Sequence, residues 1–165
     1  MPPEHRPAGG SPALASPPIG AESHFRALER LYGSAPINAK FESSLTIPGE
    51  GLARVAFRVS EADYHAAGAA HGTIYFKMLD DAAFYAANTL VTDRFLLTTS
   101  FNLHFTRPLR AGAVLAEGRW VSGRRRVFVA EARLIDGEGE DIARGTGTFM
   151  RSRIALSSLP GYVAG

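Results

Sequence analysis

From Thr73 to Arg107 the chain contains neither glycine nor proline, so nothing in this stretch interrupts regular backbone. Within it the hydrophobic period changes once. From about His71 to Thr89 apolar residues fall on nearly every side of a helix, and such a helix has to be buried. After Asp93 the period becomes two: Leu97, Thr99, Phe101, Leu103 and Phe105 alternate with Thr98, Ser100, Asn102 and His104 until Pro108 stops the strand. A single helix this apolar needs a sheet that wraps around it. The expectation is an α+β domain.

The flanks supply the sheet. Phe25, Leu28, Leu31 and Tyr32 recur as on a short amphipathic helix over Glu22 to Tyr32. Ile37 to Ile47 reads as a strand, broken by Pro48-Gly49-Glu50-Gly51. In the next strand Ala53, Val55, Phe57 and Val59 face one way, with Arg54 and Arg58 on the other side. Beyond Pro108, turns near Pro108–Gly112, Ser122–Arg125 and Asp136–Glu140 divide the chain into three further strands. With the strand before Pro108 they predict a four-stranded meander. Glu117, Arg119, Glu131, Arg133 and Arg144 read as a solvated outer row able to pair across strands.

Residues 1–20 hold six of the ten prolines and three glycines. With almost nothing to bury, such a segment is expected to be a disordered tail. The expected organisation is this N-terminal tail over 1–20, one domain over 21–155, and a C-terminal tail over 156–165. The chain has no cysteine, which excludes disulfides, thiolate metal sites and cysteine nucleophiles. A net charge of +2 is too small to call for nucleic acid. No apolar run approaches a membrane span and no secretory signal is recognisable, so a cytoplasmic location without a membrane partner is expected.

On a helical wheel started at His71, the residues Ile74, Tyr75, Met78, Leu79, Ala82, Tyr85 and Ala86 share the face that should lie on the sheet. Lys77, Asp81 and Asn88 cluster elsewhere, which makes Asp81 a solvated partner of Lys77. Asp80 points away from both groups, beside Phe76, Ala83, Phe84 and Ala87. An acid on a second apolar face suggests a carboxylate buried where another subunit arrives. The helix opens at His71-Gly72-Thr73. Gly72 permits close approach to the backbone, and free N–H groups at the positive end of the helix dipole suit an oxygen that gains charge. The helix start and Asp80 lie about 13 Å apart along one helix. They can meet only if two antiparallel helices from two chains lie side by side.

Three segments, AAHGTIYFKMLDDAAFYAANT, TTSFNLHFTRPLRAG and VSGRRRVFVAEARLIDGEGEDIARGTGTF, together resemble the PaaI-like branch of hotdog-fold acyl-CoA thioesterases over roughly residues 37–151. The resemblance implies a hotdog fold, an antiparallel sheet wrapped around one long central helix. In that branch a His-Gly-Gly motif opens the helix, and a catalytic Asp or Glu stands nine residues after the histidine, the place of Asp80 here. Phe105-Thr106-Arg107-Pro108 matches a recurrent strand ending. By resemblance, Gly72 N–H polarises the thioester carbonyl, the partner subunit's Asp80 acts as general base or nucleophile, and Thr98 helps to hold the water. Two positions depart from the pattern. Thr73 replaces the second glycine, and His65 stands where an Asn is usual, which alters how water is positioned or retunes the acid–base apparatus.

His71 reads as a helix cap rather than a catalyst, and it joins Thr73, Phe76 and Phe84 as a candidate for contact with substrate. Arg124 and Arg125, in the basic turn, are candidates for the phosphates of coenzyme A. His65, His71 and His104 come with no carboxylate at ligand spacing, so neither metal nor cofactor is expected. The resemblance implies an acyl-CoA thioester as substrate, and the expected assembly is a homodimer or a homotetramer built of two. Two other readings compete: a non-catalytic protein binding an acyl-CoA or aromatic ligand, and a hotdog enoyl-CoA hydratase, for which Asp63-Tyr64-His65 lacks the required Asn and spacing.

Overall fold

The computed structural model describes residues 20–163. The expected tail over 1–20 lies outside them, apart from Gly20. Two helices come first, α1 (Ala21–Ser34) and α2 (Pro36–Phe41), then β1 (Ser44–Gly49) and β2 (Leu52–Val59). The central helix α3 (Gly72–Asn88) follows, then β3 (Arg94–Phe105), β4 (Gly112–Ser122), β5 (Val127–Asp136) and β6 (Asp141–Ala155). The six strands form one antiparallel sheet in the order β1-β2-β4-β5-β6-β3. α3 packs against every strand, and this α+β arrangement is the hotdog architecture.

Most of the helix is buried because its apolar residues cover nearly every side, Phe76 excepted. Met78, Leu79, Ala82, Ala83, Ala86 and Ala87 have no solvent exposure, and each large one contributes roughly 1.5–3 kcal/mol of burial. Its approach to the sheet requires a bare backbone at Gly118, where a Cβ would lie 2.0 Å from the Ala82 carbonyl oxygen. On the far side of the sheet the charged row pairs as its spacing suggests. Glu117 bridges Arg54 and Arg133, and Arg119 pairs with Glu131.

Three expectations are corrected. The strand over Ile37–Ile47 begins only at Ser44. Pro36 at the first helical position fixes φ for a short helix, which ends where Glu42 enters the left-handed region at φ 51°. The meander is confined to β4, β5 and β6, because β3 lies at the far edge beside β6. Residues 106–111 carry the chain back across, roughly 14 Å at ordinary strand spacing. They pass over the start of α3, where Tyr75 Oη donates to Arg107 O and accepts from Leu109 N–H. Finally, the segment set off as a C-terminal tail packs on α1 as far as it is described. Leu156 is fully buried, and Tyr162 Oη meets His24 Nδ1 at 2.7 Å.

Candidate active site

The loop before α3 is tightly tied. Tyr64 and Ala70 form a β-bridge, His71 N–H donates to Asp63 O at 2.8 Å, and Ala70 N–H donates to Leu109 O at 2.8 Å. His71, extended at φ −66° and ψ 147°, is the N-cap: its Nδ1 accepts from Thr73 N–H at 3.2 Å and faces Thr73 Oγ1 at 3.0 Å. Ile74 N–H turns back to His71 O at 2.9 Å. Among the described residues no acceptor takes Gly72 N–H, so the donor at the positive end of the dipole stays open. It borders a shallow cleft of about 460 Å³ between His65, Tyr75, Phe105 and Arg107.

His65 is exposed at this cleft, and its Nδ1 accepts from Ala67 N–H at 3.1 Å. The neutral ring therefore carries its hydrogen on Nε2. Asp63, the other half of a hydratase pair, turns its carboxylate away to Ser60 N–H at 2.8 Å. His104 belongs to the outer charged row, next to Arg144 in the ladder. Among the described residues no three His, Asp or Glu side chains gather as a metal would need.

Asp80 accepts a hydrogen bond from Thr98 Oγ1 at 3.0 Å. A feature that the sequence pattern hides makes this contact. β3 pairs with β6 as Thr98↔Phe149 and Ser100↔Thr148, so Thr99 is an extra residue, a bulge. The bulge shifts the alternation by one. Leu97, on the apolar row of that alternation, is 48% exposed, and Thr98, on the polar row, turns toward α3. Burial pushes the Asp80 carboxyl up to about 6. Asp81 adds to the rise, while the Thr98 hydrogen bond and Lys77 work against it. A carboxylate poised there is suited to take a proton near neutrality.

Asp81 is not the solvated charge that the wheel implied. Its pair with Lys77 is present, but Tyr32 Oη also donates to Asp81 at 3.1 Å, and α1 and α2 cover both residues. Asn88, grouped with them on the wheel, is fully buried at the other end of the helix and binds Val91 O, Arg94 O and Leu96 N–H. The remaining candidates separate. Phe76 is 44% exposed beside Phe101, whereas Phe84 is buried among Phe95, Phe149 and Tyr85. Arg124 stacks on Trp120, 4.5 Å from its ring centroid, and Arg125 stands exposed in the same turn. Sequence reasoning overlooked Phe105, whose ring lies 5.0 Å from that of Tyr75 and closes over Gly72. Its place just before Arg107-Pro108, level with the helix start, was the available signal.

Comparisons with known proteins agree with this fold. Residues 67–143 match the family model described as the thioesterase superfamily. A protein of Saccharolobus solfataricus named as an esterase is 28% identical over 101 residues, which are 61% of this chain and 67% of the relative. A variant of the phenylacetic acid degradation protein PaaI from Thermus thermophilus superposes with a TM-score of 0.65 at 28% identity, over 72% of this chain and 100% of that one. The PaaI protein of the E. coli phenylacetic acid degradation operon shares the fold at a TM-score of 0.75 and 18% identity, over 82% of this chain and 98% of that one.

Proposed function

We propose that the chain is a thioester hydrolase of the thioesterase superfamily, whose family model its residues 67–143 match, and that it hydrolyses an acyl- or aryl-coenzyme A at a site shared by two protomers. The observation that carries this reading is Asp80, a carboxylate held by Thr98 on a partly apolar face and raised to about 6 by burial. One chain cannot complete the site, because Gly72 and Asp80 stand about 12 Å apart along α3. β3 offers the means to join two. It is a twelve-residue edge strand with Leu97 and Phe105 exposed, and Phe76 lies exposed on the adjacent helix face. A long apolar edge of this kind is a template for pairing with another chain.

In the shared site, Gly72 N–H of one protomer binds the thioester carbonyl oxygen and stabilises the charge that develops on it. Asp80 of the other protomer takes a proton from water, which attacks the carbonyl carbon, or attacks that carbon itself. Collapse of the tetrahedral intermediate breaks the C–S bond and releases the thiolate of coenzyme A; where Asp80 is the nucleophile this leaves an anhydride on Asp80, which a water then hydrolyses to the free acid and the regenerated carboxylate. His65 offers Nε2–H at the same cleft, and Thr98 orients Asp80. Arg125 and Arg124 supply cationic contacts for the phosphates at the basic turn.

A panel of acyl- and aryl-CoA esters assayed with wild type and Asp80→Asn tests the reading. Thiol release should fall by roughly 10²-fold or more in the variant, the scale of losing a general base. A protein that binds the esters but never releases thiol would instead be a ligand carrier.

A further inference from the structure

One buried charge pair takes no part in the proposed reaction. Lys77 and Asp81 pair along α3, with side chains only 10% and 21% exposed. Tyr32 Oη meets Ser43 Oγ at 2.7 Å as well as Asp81. Lys77 Nζ donates to Asn38 Oδ1 at 2.7 Å and lies 5.5 Å from the ring centroids of Tyr32 and Phe41. Tyr32 and Asn38 belong to α1 and α2, outside the residues that match the family model. A buried ion pair is often no more stabilising than apolar residues of the same volume, so stability alone does not explain it. Its position does. The charged groups that face Asp80 are Asp81 and Lys77, both on α3, and from β3 Asp80 meets only the Thr98 hydroxyl.

We propose that the Lys77–Asp81 pair is a positioning device for Asp80, its two charges setting the pH at which that carboxylate becomes an active base. This rests on the reading of Asp80 as the reacting carboxylate. Asp81, held in place by Tyr32, opposes a second negative charge on the next residue, and Lys77 offsets part of that opposition. Burial of the pair under α1 and α2 keeps water from screening either charge. With an effective dielectric near 20, such a neighbour moves a carboxyl by about one pH unit.

The pH dependence of kcat/KM reports the carboxylate of the free enzyme. Asp81→Asn removes the negative neighbour, keeps its shape and leaves Lys77 charged. Its acid limb should move down by about one pH unit, with the plateau kept. Asp81→Ser, which leaves room for a water in place of the carboxylate, gives the same reading if the asparagine variant does not fold. Lys77→Met combined with Asp81→Asn removes both charges and should return the limb to within about half a unit of wild type. Tyr32→Phe removes a hydrogen bond but no charge, so its limb should stay in place while Tm falls. A limb that is unmoved or rises in the Asp81 variants overturns the proposal, as does a Tyr32→Phe limb displaced as far as theirs. Full turnover in Asp80→Asn would sink the active-site reading itself, and that result is separate from all of these.

Discussion

In the proposed site, Asp80 sets activity against stability. Its folded carboxyl sits at about 6, above its usual value, chiefly because burial penalises the charged form. The folded state therefore holds its proton to a higher pH than the unfolded chain does. The sign follows from linkage: this group's contribution to stability is fully present below the unfolded pKa and is lost as pH rises through about 6. Asp80→Asn cannot ionise, so it escapes that loss. Chemical denaturation at pH 8 should show the inactive variant to be more stable than wild type, with the gap closing by pH 4. A variant less stable at both pH values would mean that the native carboxylate is well solvated or well paired. The same residue shows where sequence reasoning succeeds. The wheel separated Asp80 from Asp81 correctly, because angle along a helix is a local property. It misjudged Asp81, because the wheel carries no record of what α1 and α2 lay over it.

At the scale of elements, α3 can lie on the sheet only because β4 is bare at Gly118. A methyl group there would stand 2.0 Å from the Ala82 carbonyl oxygen, which is backbone and cannot rotate away. Gly118→Ala should push helix and sheet apart and lower stability by several kcal/mol, at or above the usual range for overpacking. Loss of soluble protein, or a Tm well below wild type, checks this, whereas an unchanged Tm would mean that the helix does not sit where it is placed. The helix and the strands flanking it were legible because their periods are strong. The bulge at Thr99 was not. In a run of Thr, Thr and Ser, one extra residue leaves no mark on the hydrophobic pattern, yet it decides whether Thr98 reaches Asp80. The position of β3 at the far edge was equally hidden, since the six residues after it can make either a hairpin or a crossing. α2 was missed for a different reason: Ile37, Phe41 and Ile47 suit a strand about as well as a helix, and Pro36 at N1 was the signal that separated them.

For the whole molecule the sharpest consequence is that no single chain should be an enzyme. Gly72 and Asp80 sit on one rigid helix, and no side-chain motion closes the gap of about 12 Å between them. If two chains share each site, two crippled chains can rescue one another. Asp80→Asn removes the base. Gly72→Pro removes the open N–H while keeping the helix start, because proline is well tolerated at the first helical position and His71 already has the extended backbone that a following proline requires. The added ring meets the far end of the Phe105 side chain, whose Cζ would lie 3.3 Å from a Cβ at this position, so that ring has to shift by only a few tenths of an ångström. Each variant alone should form inactive dimers. In a mixed dimer one site inherits both defects, and the other pairs an intact Gly72 with an intact Asp80. Co-expression of the two variants should therefore restore about a quarter of wild-type turnover, since random pairing makes half the dimers mixed and each mixed dimer has one sound site. Sedimentation of the mixture should show dimers or larger species throughout. Were each site built within a single chain, every chain would carry one lesion and the mixture would stay as inactive as its parts.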